Sequence, residues 1–318
     1  MDIYNISIIG LGYWGKNYIE ILKKSKHNLI CICCKSINTM NKYNYLECNK
    51  YLDYNEMFKK EKLDGVIIVT PTHTHKNIII KAMKYNIKIL TEKPICLNIK
   101  ECKKVYNMSK KLNYNILNNI LVGHTFLFND NLLELKKLLN IVNNINYITF
   151  TWTNTYTIPK NSNIYLEIFV HLICIINFLF PNKELIFINK LENLNNIILN
   201  FKLENIIINL IISTETVIKE RIIKFNNNNI EIIYDDMNVY NKIILNYINI
   251  TDIINHIVSD FKNNIIFNNN EKNIKFNIIG SNPLNNLFDY WINNLYKNEE
   301  LISNYKIAYN ILYIIEYI

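Results

Sequence analysis

Ile3-Tyr4-Asn5-Ile6-Ser7-Ile8-Ile9-Gly10-Leu11-Gly12-Tyr13-Trp14-Gly15-Lys16-Asn17 is the stretch that decides the fold. The mostly apolar run 3–9 predicts a buried strand, and 14–24 predicts a helix. Between them Gly10, Gly12 and Gly15 stand in the spacing GxGxxG. In such a turn the first glycine permits the tight bend and the second lets the backbone approach a pyrophosphate. The third lets helix and strand pack closely. Amides at the start of the helix then face the phosphate charge. The chain has six glycines in 318 residues and spends three of them here, so the spacing is not a by-product of a glycine-rich composition.

Working outward, residues 29–34 predict a second strand. Gly65-Val66-Ile67-Ile68-Val69-Thr70 is a β-branched run that Asp64 introduces and Pro71 stops. A helix at about 73–86 and a short strand at 88–90 follow. Apolar strands separated by helices predict a parallel sheet covered on both faces. From about 145 to 279 the pattern changes to β-rich segments with polar turns and one helical interruption near 164–180. Without strand–helix alternation, that region predicts an open, mostly antiparallel sheet. Helical character returns at 283. The expectation is an α/β chain with an N-terminal dinucleotide-binding domain over 1–122. A C-terminal α+β domain over 123–318 serves substrate binding and oligomerisation, its last helices able to pack back on the first domain.

Composition narrows the function. Half the residues are hydrophobic and 19% are charged, which suits a globular protein with a sizeable core. The formal charge of +8 comes from lysines scattered along the chain, Arg221 being the only arginine. No basic stripe interleaves with aromatics, so no nucleic-acid partner is expected. The asparagine runs 226–229 and 268–270 read as loop filler. Among seven cysteines, Cys31, Cys33 and Cys34 cluster without zinc-type spacing, and the odd count argues against a disulfide framework. No metal is assigned; His73 and His75 have no carboxylate or cysteine partner in view. No basic leader precedes the first strand. The most apolar stretch, 164–180, carries Glu167, His171 and Asn177, so no membrane span is expected and the cytoplasm is the expected location.

The carboxylate expected about 20 residues beyond the glycines, at the end of the second strand, is missing. Cys34, Lys35 and Ser36 stand there instead, and Lys35 faces either solvent or a 2′-phosphate. The cofactor is therefore NAD or NADP, with the choice open. Two further segments follow strand ends, where ligands bind in an open α/β sheet: Thr70-Pro71-Thr72-His73-Thr74-His75 and Thr91-Glu92-Lys93-Pro94. A lysine held between a carboxylate and a proline at such an end is placed to hydrogen-bond an oxygen of cofactor or substrate.

Within 164–180, apolar side chains fill almost every position, predicting a helix buried all round. Glu167, His171 and Cys174 fall at i, i+4 and i+7 on one face. A carboxylate one turn from an imidazole can fix its tautomer and raise its basicity.

Together these residues resemble the glucose–fructose oxidoreductase, inositol dehydrogenase and MocA (Gfo/Idh/MocA) family. The resemblance rests on Tyr13-Trp14-Gly15-Lys16-Asn17, on Pro71 with His75, on Glu92-Lys93-Pro94 and on Gly123-His124-Thr125-Phe126. It continues through Asn154, His171 and Pro283-Leu284, spanning nearly the whole chain but sharpest before residue 130. The Trp14 turn and the Gly-His-Thr-Phe segment look like the nucleotide-sugar 3-dehydrogenase subgroup, which acts on UDP-linked amino sugars or their uronates.

The resemblance implies a Rossmann domain followed by an open sheet whose outer face makes a homodimer or homotetramer. It implies an NAD(P)-dependent oxidoreductase acting on a secondary alcohol of a sugar or nucleotide sugar. Cofactor contacts are expected from Gly10, Gly12, Tyr13, Trp14, Gly15, Cys34, Lys35 and Ser36, and from Thr70, Pro71, Thr72, His75, Glu92 and Lys93. Lys93 is implied to lie near the nicotinamide ribose and the substrate hydroxyl. His171 is the implied proton-transfer residue with Glu167 beside it. His124, Asn154 and Lys160 are the further substrate candidates. The chain departs from the pattern at Glu167, where the family usually has Asp, and at Leu172, where the subgroup has another. The subgroup's arginines near Asn154 are missing, and Lys160 would serve as a point charge in their place. Inositol or free-sugar dehydrogenase, and a silent dinucleotide-binding regulator, are the alternatives.

Overall fold

The computed structural model describes residues 2–155, 163–193, 195–248, 251–261, 265–268 and 272–318. The chain divides into two compact units, Met1–Thr125 with Leu284–Tyr317 and Phe126–Pro283.

In the first unit strands β1 (Asn5–Ile9), β2 (Asn28–Cys33), β3 (Asn49–Tyr51), β4 (Gly65–Ile68), β5 (Lys88–Thr91) and β6 (Ile120–Val122) form one sheet. Its order is β3-β2-β1-β4-β5-β6 and every pair is parallel. The strands are joined through helices α1 (Tyr13–Lys24), α2 (Ile37–Asn41), α3 (Tyr54–Lys60), α4 (Thr72–Met83), α5 (Ile99–Lys111) and α6 (Ile116–Asn119). Ile6, Ile8, Val66, Ile67, Ile68, Ile89 and Leu90 are fully buried on successive positions. Both sheet faces are therefore covered, which is why these strands read as continuous apolar runs.

In the second unit α7 (Asp130–Val142) precedes β7 (Tyr147–Thr155). A π-helical turn, Tyr165–Phe169, then runs directly into α8 (Val170–Leu179). Strands β8 (Leu185–Glu192), β9 (Asn196–Leu203), β10 (Ile206–Ser213), β11 (Glu215–Asn226), β12 (Ile230–Asp235) and β13 (Ile243–Tyr247) follow. After α9 (Thr251–Asp260) come β14 (Ile265–Asn268) and β15 (Asn273–Phe276). Among the described residues these make a sheet of order β14-β15-β13-β12-β11-β7-β10-β9-β8. Its one parallel pair there is β10 with β7. Alternation is clear on β9, where Ile197, Leu199, Phe201 and Leu203 are buried between half-buried or exposed neighbours. Phe169 stacks on Phe201, centroids 6.0 Å apart, pinning the π turn to that buried face.

The chain then returns to the first unit with α10 (Pro283–Asn293) and α11 (Tyr305–Tyr317). Trp291 is buried there against Gly65: a β-carbon on Gly65 would lie 2.6 Å from the indole ring.

The α/β fold class read from the sequence holds, with local corrections. The first strand starts at Asn5, and Ile3 is 60% exposed. The second ends at Cys33; Cys34 turns away, its thiol donating to Ser36 O at 3.3 Å. The segment 164–180 opens with a π turn rather than a regular helix and is not buried all round. Glu167, His171, Asn177 and Phe178 are half-buried. Helix α9 was not anticipated, because isoleucine and asparagine fill both its strand-like and helix-like positions. Among the described residues no helix is long and apolar enough to cross a membrane. Nor does any group of three His, Cys, Asp or Glu side chains there stand ready for a metal.

Candidate functional site

At the switch point between β1 and β4 the chain makes the glycine turn. Gly10 has φ of 103°, a left-handed value, and a β-carbon there would meet Val69 O at 2.6 Å. A β-carbon on Gly15 would overlap Gly10 O. Gly12 is the contrast, with nothing within 4 Å of where its β-carbon would stand. The outer two glycines are thus demanded by protein packing, whereas the middle one faces open space. Gly12 also caps α1 with no side-chain acceptor, leaving the helix-start amides turned to that space. These features fit a pyrophosphate.

The turn borders a cavity of about 1130 Å³. Gly10, Gly12, Tyr13, Cys34, Lys35, Ser36, Thr70 and Pro71 all line it. Trp14, Gly15, Thr72, His75, Glu92 and Lys93 are not among its lining residues. Thr39, Lys42, Tyr43, Asp53 and Tyr54, which the sequence did not single out, are. They lie on α2, the turn after it and the start of α3, segments too short to carry a periodic signal.

His75 is buried on α4, 1% exposed. Its Nδ1 lies 3.0 Å from Pro94 O and its Nε2 2.7 Å from Thr70 O. Both partners are carbonyl acceptors, so a neutral ring donates to one of them at a time and only the protonated ring bonds both, tying the Lys93-Pro94 turn to the end of the β4 loop. Burial lowers its pKa, and the hydrogen bonds to Thr70 and Pro94 oppose that shift. The Lys93-Pro94 peptide is cis.

Beyond β5 sits a second polar group. Glu92 is 9% exposed and accepts from the Tyr18 hydroxyl at 3.2 Å. Gly123 gives it room, since a β-carbon there would lie 3.2 Å from Glu92 Oε1. Burial pushes the Glu92 carboxyl up to about 7, against the pull of the Lys93 charge and the Tyr18 bond. Lys93 is half-buried. His124 is 1% exposed, with Nδ1 2.8 Å from Ser303 Oγ, and Ser303 donates onward to Val122 O at 2.8 Å. Because that hydroxyl proton is committed, Nδ1 carries the imidazole hydrogen and Nε2 is left as an acceptor. Burial first, and the Lys93 charge second, hold the His124 pKa down to about 3, so the ring is neutral. Tyr18 and Ser303 were missing from the sequence reading. Tyr18 lies on the buried face of α1 with Gly15, Ile19 and Leu22. Ser303 has no local signal, being 179 residues from its partner.

In the second unit His171 sits one residue into α8, half-buried. Its ring stacks on Trp152 at 5.9 Å and 5°, and meets Phe126 edge-on at 5.2 Å. The Arg221 guanidinium lies 4.5 Å over the same indole. Register explains this, because Arg221 on β11 faces Trp152 on β7. Asp236 holds the cation, Oδ2 3.5 Å from Arg221 Nη1, and also accepts from Lys242 at 3.1 Å and Tyr234 at 3.0 Å. The one arginine of the chain thus joins the histidine's aromatic surroundings, a role no local motif signals. Glu167 and Asn154 are half-buried. Cys174 is core, its thiol pKa raised by burial, and Leu172 is 2% exposed. Lys160 lies outside the described residues.

A parallel sheet of this order with an open glycine at its switch point defines a dinucleotide-binding Rossmann domain. Residues 4–119 match the model of the Gfo/Idh/MocA oxidoreductase family, NAD-binding Rossmann fold. The 2,7-anhydro-N-acetylneuraminate hydratase of Mediterraneibacter gnavus is 26% identical over 140 residues. That match takes in 44% of this chain and 36% of the relative, so the chain spans about a third of the curated relative's length. Two solved structures share the fold over nearly their whole length. The UDP-N-acetylglucosamine 3-dehydrogenase of Acidithiobacillus ferrooxidans has a TM-score of 0.77 at 14% identity, covering 100% of this chain and 97% of that one. The 3-ketoreductase of Actinomadura kijaniata, in complex with TDP-benzene and NADP, has a TM-score of 0.78 at 10% identity, again covering 100% and 97%.

Proposed function

We propose that this chain is an NAD(P)-dependent oxidoreductase acting on a secondary alcohol of a sugar, with a nucleotide sugar as substrate, oxidised or reduced at C3. The observation that carries the reading is the Glu92–Lys93–His124 group behind a glycine turn open to a pyrophosphate. A neutral His124 and a buried Glu92 flank the half-buried Lys93 at the end of β5, where a cation stabilises charge developing on a substrate oxygen. Bound NAD(P) would supply the hydride acceptor or donor. Lys93 is assigned the stabilisation of the substrate alkoxide and His171 the transfer of its proton. Glu167, on the turn before His171, is assigned the orientation of that imidazole.

Three things favour a nucleotide sugar over a free one. The Acidithiobacillus structure is named for UDP-N-acetylglucosamine, and the Actinomadura structure was solved with TDP-benzene. Arg221, stacked on Trp152, supplies a cation able to meet a diphosphate or a uronate carboxylate. Asn154 and His124 are the neutral polar groups assigned to sugar hydroxyls. For assembly we propose a homodimer or homotetramer through the outer face of the larger sheet. Ile186 and Ile198 are exposed there, and Ile211 beside Ile198 is half-buried. The cytoplasm, which keeps thiols such as Cys31 and Cys33 reduced, is the proposed location.

The test is a panel of UDP-N-acetylglucosamine, its uronate, myo-inositol and glucose, each with NAD and NADP. Turnover of a UDP sugar is expected. Lys93→Ala and His171→Ala should each lower kcat by roughly 10²-fold or more while cofactor affinity stays within a few-fold. Full activity in either variant removes that residue from the mechanism. Bound cofactor with no turnover of any substrate would favour a regulator.

A further inference from the structure

At the C-terminal end of the second strand of such a sheet, the adenosine ribose meets the protein. A carboxylate there accepts from both ribose hydroxyls and repels a 2′-phosphate. Here Cys34, Lys35 and Ser36 occupy the position, and all three line the cavity. The cavity wall also carries Lys16 and Lys42, against a single carboxylate, Asp53. Among the described residues none of these three lysines is ion-paired or hydrogen-bonded. Asp53 is already engaged: it caps α3, accepting from the Asn55 backbone and side-chain nitrogens at 2.9 Å each. Ser36 accepts from Thr39 N at 3.2 Å, which leaves its hydroxyl proton to donate. The ribose end of the cavity therefore holds unneutralised ammonium groups and a hydroxyl donor. Its one acid is turned to another task.

We infer that this chain selects the 2′-phosphorylated dinucleotide, NADP(H), over NAD(H), with Lys35 as the discriminating cation and Ser36 and Lys42 as its supports. The inference rests on the dinucleotide-binding reading above. Charge-assisted hydrogen bonds to one phosphate correspond to roughly 10- to 100-fold in affinity. Added salt should erode part of that advantage, because the lysines are solvent-exposed.

Equilibrium titration of the whole chain with NADPH, NADH, 2′,5′-ADP and 5′-AMP, followed by fluorescence or calorimetry, tests it without any sugar substrate. NADPH and 2′,5′-ADP are expected to bind at least about tenfold tighter than NADH and 5′-AMP. Lys35→Asp should cancel that ratio, with NADH affinity kept or improved. Lys42→Ala should reduce the ratio less. Equal or tighter binding of NADH by the wild-type chain, or an unchanged ratio in Lys35→Asp, overturns the preference while leaving the dinucleotide reading intact. Absence of binding by all four overturns both.

Discussion

Glu92 shows how a single buried carboxyl couples the site to pH. Its folded-state pKa of about 7 stands above the ordinary 4.5, so the fold favours the protonated form. The native state then binds more protons than the unfolded chain between those values, and stability falls as pH rises from about 4.5 to about 7. The loss is at most about 3 kcal/mol from a shift of that size. Glu92→Gln removes the titration and keeps a side chain for Tyr18 to bond. Urea unfolding at pH 5 and pH 8 should show stability falling more, or rising less, across that interval in the wild-type chain than in the variant, since the His124 contribution is common to both. A variant that tracks the wild type at both pH values would show that Glu92 is not the titrating group. His124 pulls the other way: held down to about 3 from the ordinary 6.5, it is neutral in the fold while the unfolded chain's imidazole takes up a proton below 6.5. Its own contribution to stability therefore rises with pH up to that value and offsets part of the Glu92 loss.

At the scale of elements, the glycine turn separates what packing requires from what a ligand requires. Gly12→Ala adds a methyl to open space at extended backbone angles (φ −79°, ψ −156°). It should change unfolding free energy by less than about 1 kcal/mol and yet weaken dinucleotide binding at least about tenfold. Gly15→Ala drives the methyl into Gly10 O and should destabilise the apo protein, by about 1–3 kcal/mol. Thermal melts and cofactor titrations of the two variants should therefore move in opposite ways. If Gly12→Ala binds normally, the turn does not hold a pyrophosphate.

The turn was legible because its chemistry is local: three glycines, a strand before and a helix after. Elements whose signal is spread thinner were not. The π turn at Tyr165–Phe169 has no composition of its own, and α9 hides in an isoleucine-rich stretch that suits strand and helix alike. Arg221 and Trp152 meet only through the pairing of β11 with β7, which a linear reading cannot supply.

For the molecule as a whole, the larger sheet offers the face on which assembly is expected. Ile186 on β8 and Ile198 on β9 are 50% and 36% exposed, apolar side chains that a second copy of the chain would cover. Light scattering coupled to gel filtration should report a dimer or tetramer, and Ile198→Lys should shift it toward the monomer. A wild-type chain that runs as a monomer at micromolar concentration removes the proposal. Class and layer order could be read from strand and helix alternation, but the partnership of distant segments could not. Nothing around Ser303 marks it as the holder of His124, nor Trp291 as the filler beside Gly65.

Those two contacts govern the order in which the protein can come into being. Every signature of the nucleotide turn has been translated by residue 75, yet the indole that seats against β4 and the hydroxyl that orients His124 are translated more than 200 residues later. The first unit is thus begun before the second and completed only after it, and until then β4 lacks the indole that packs against Gly65.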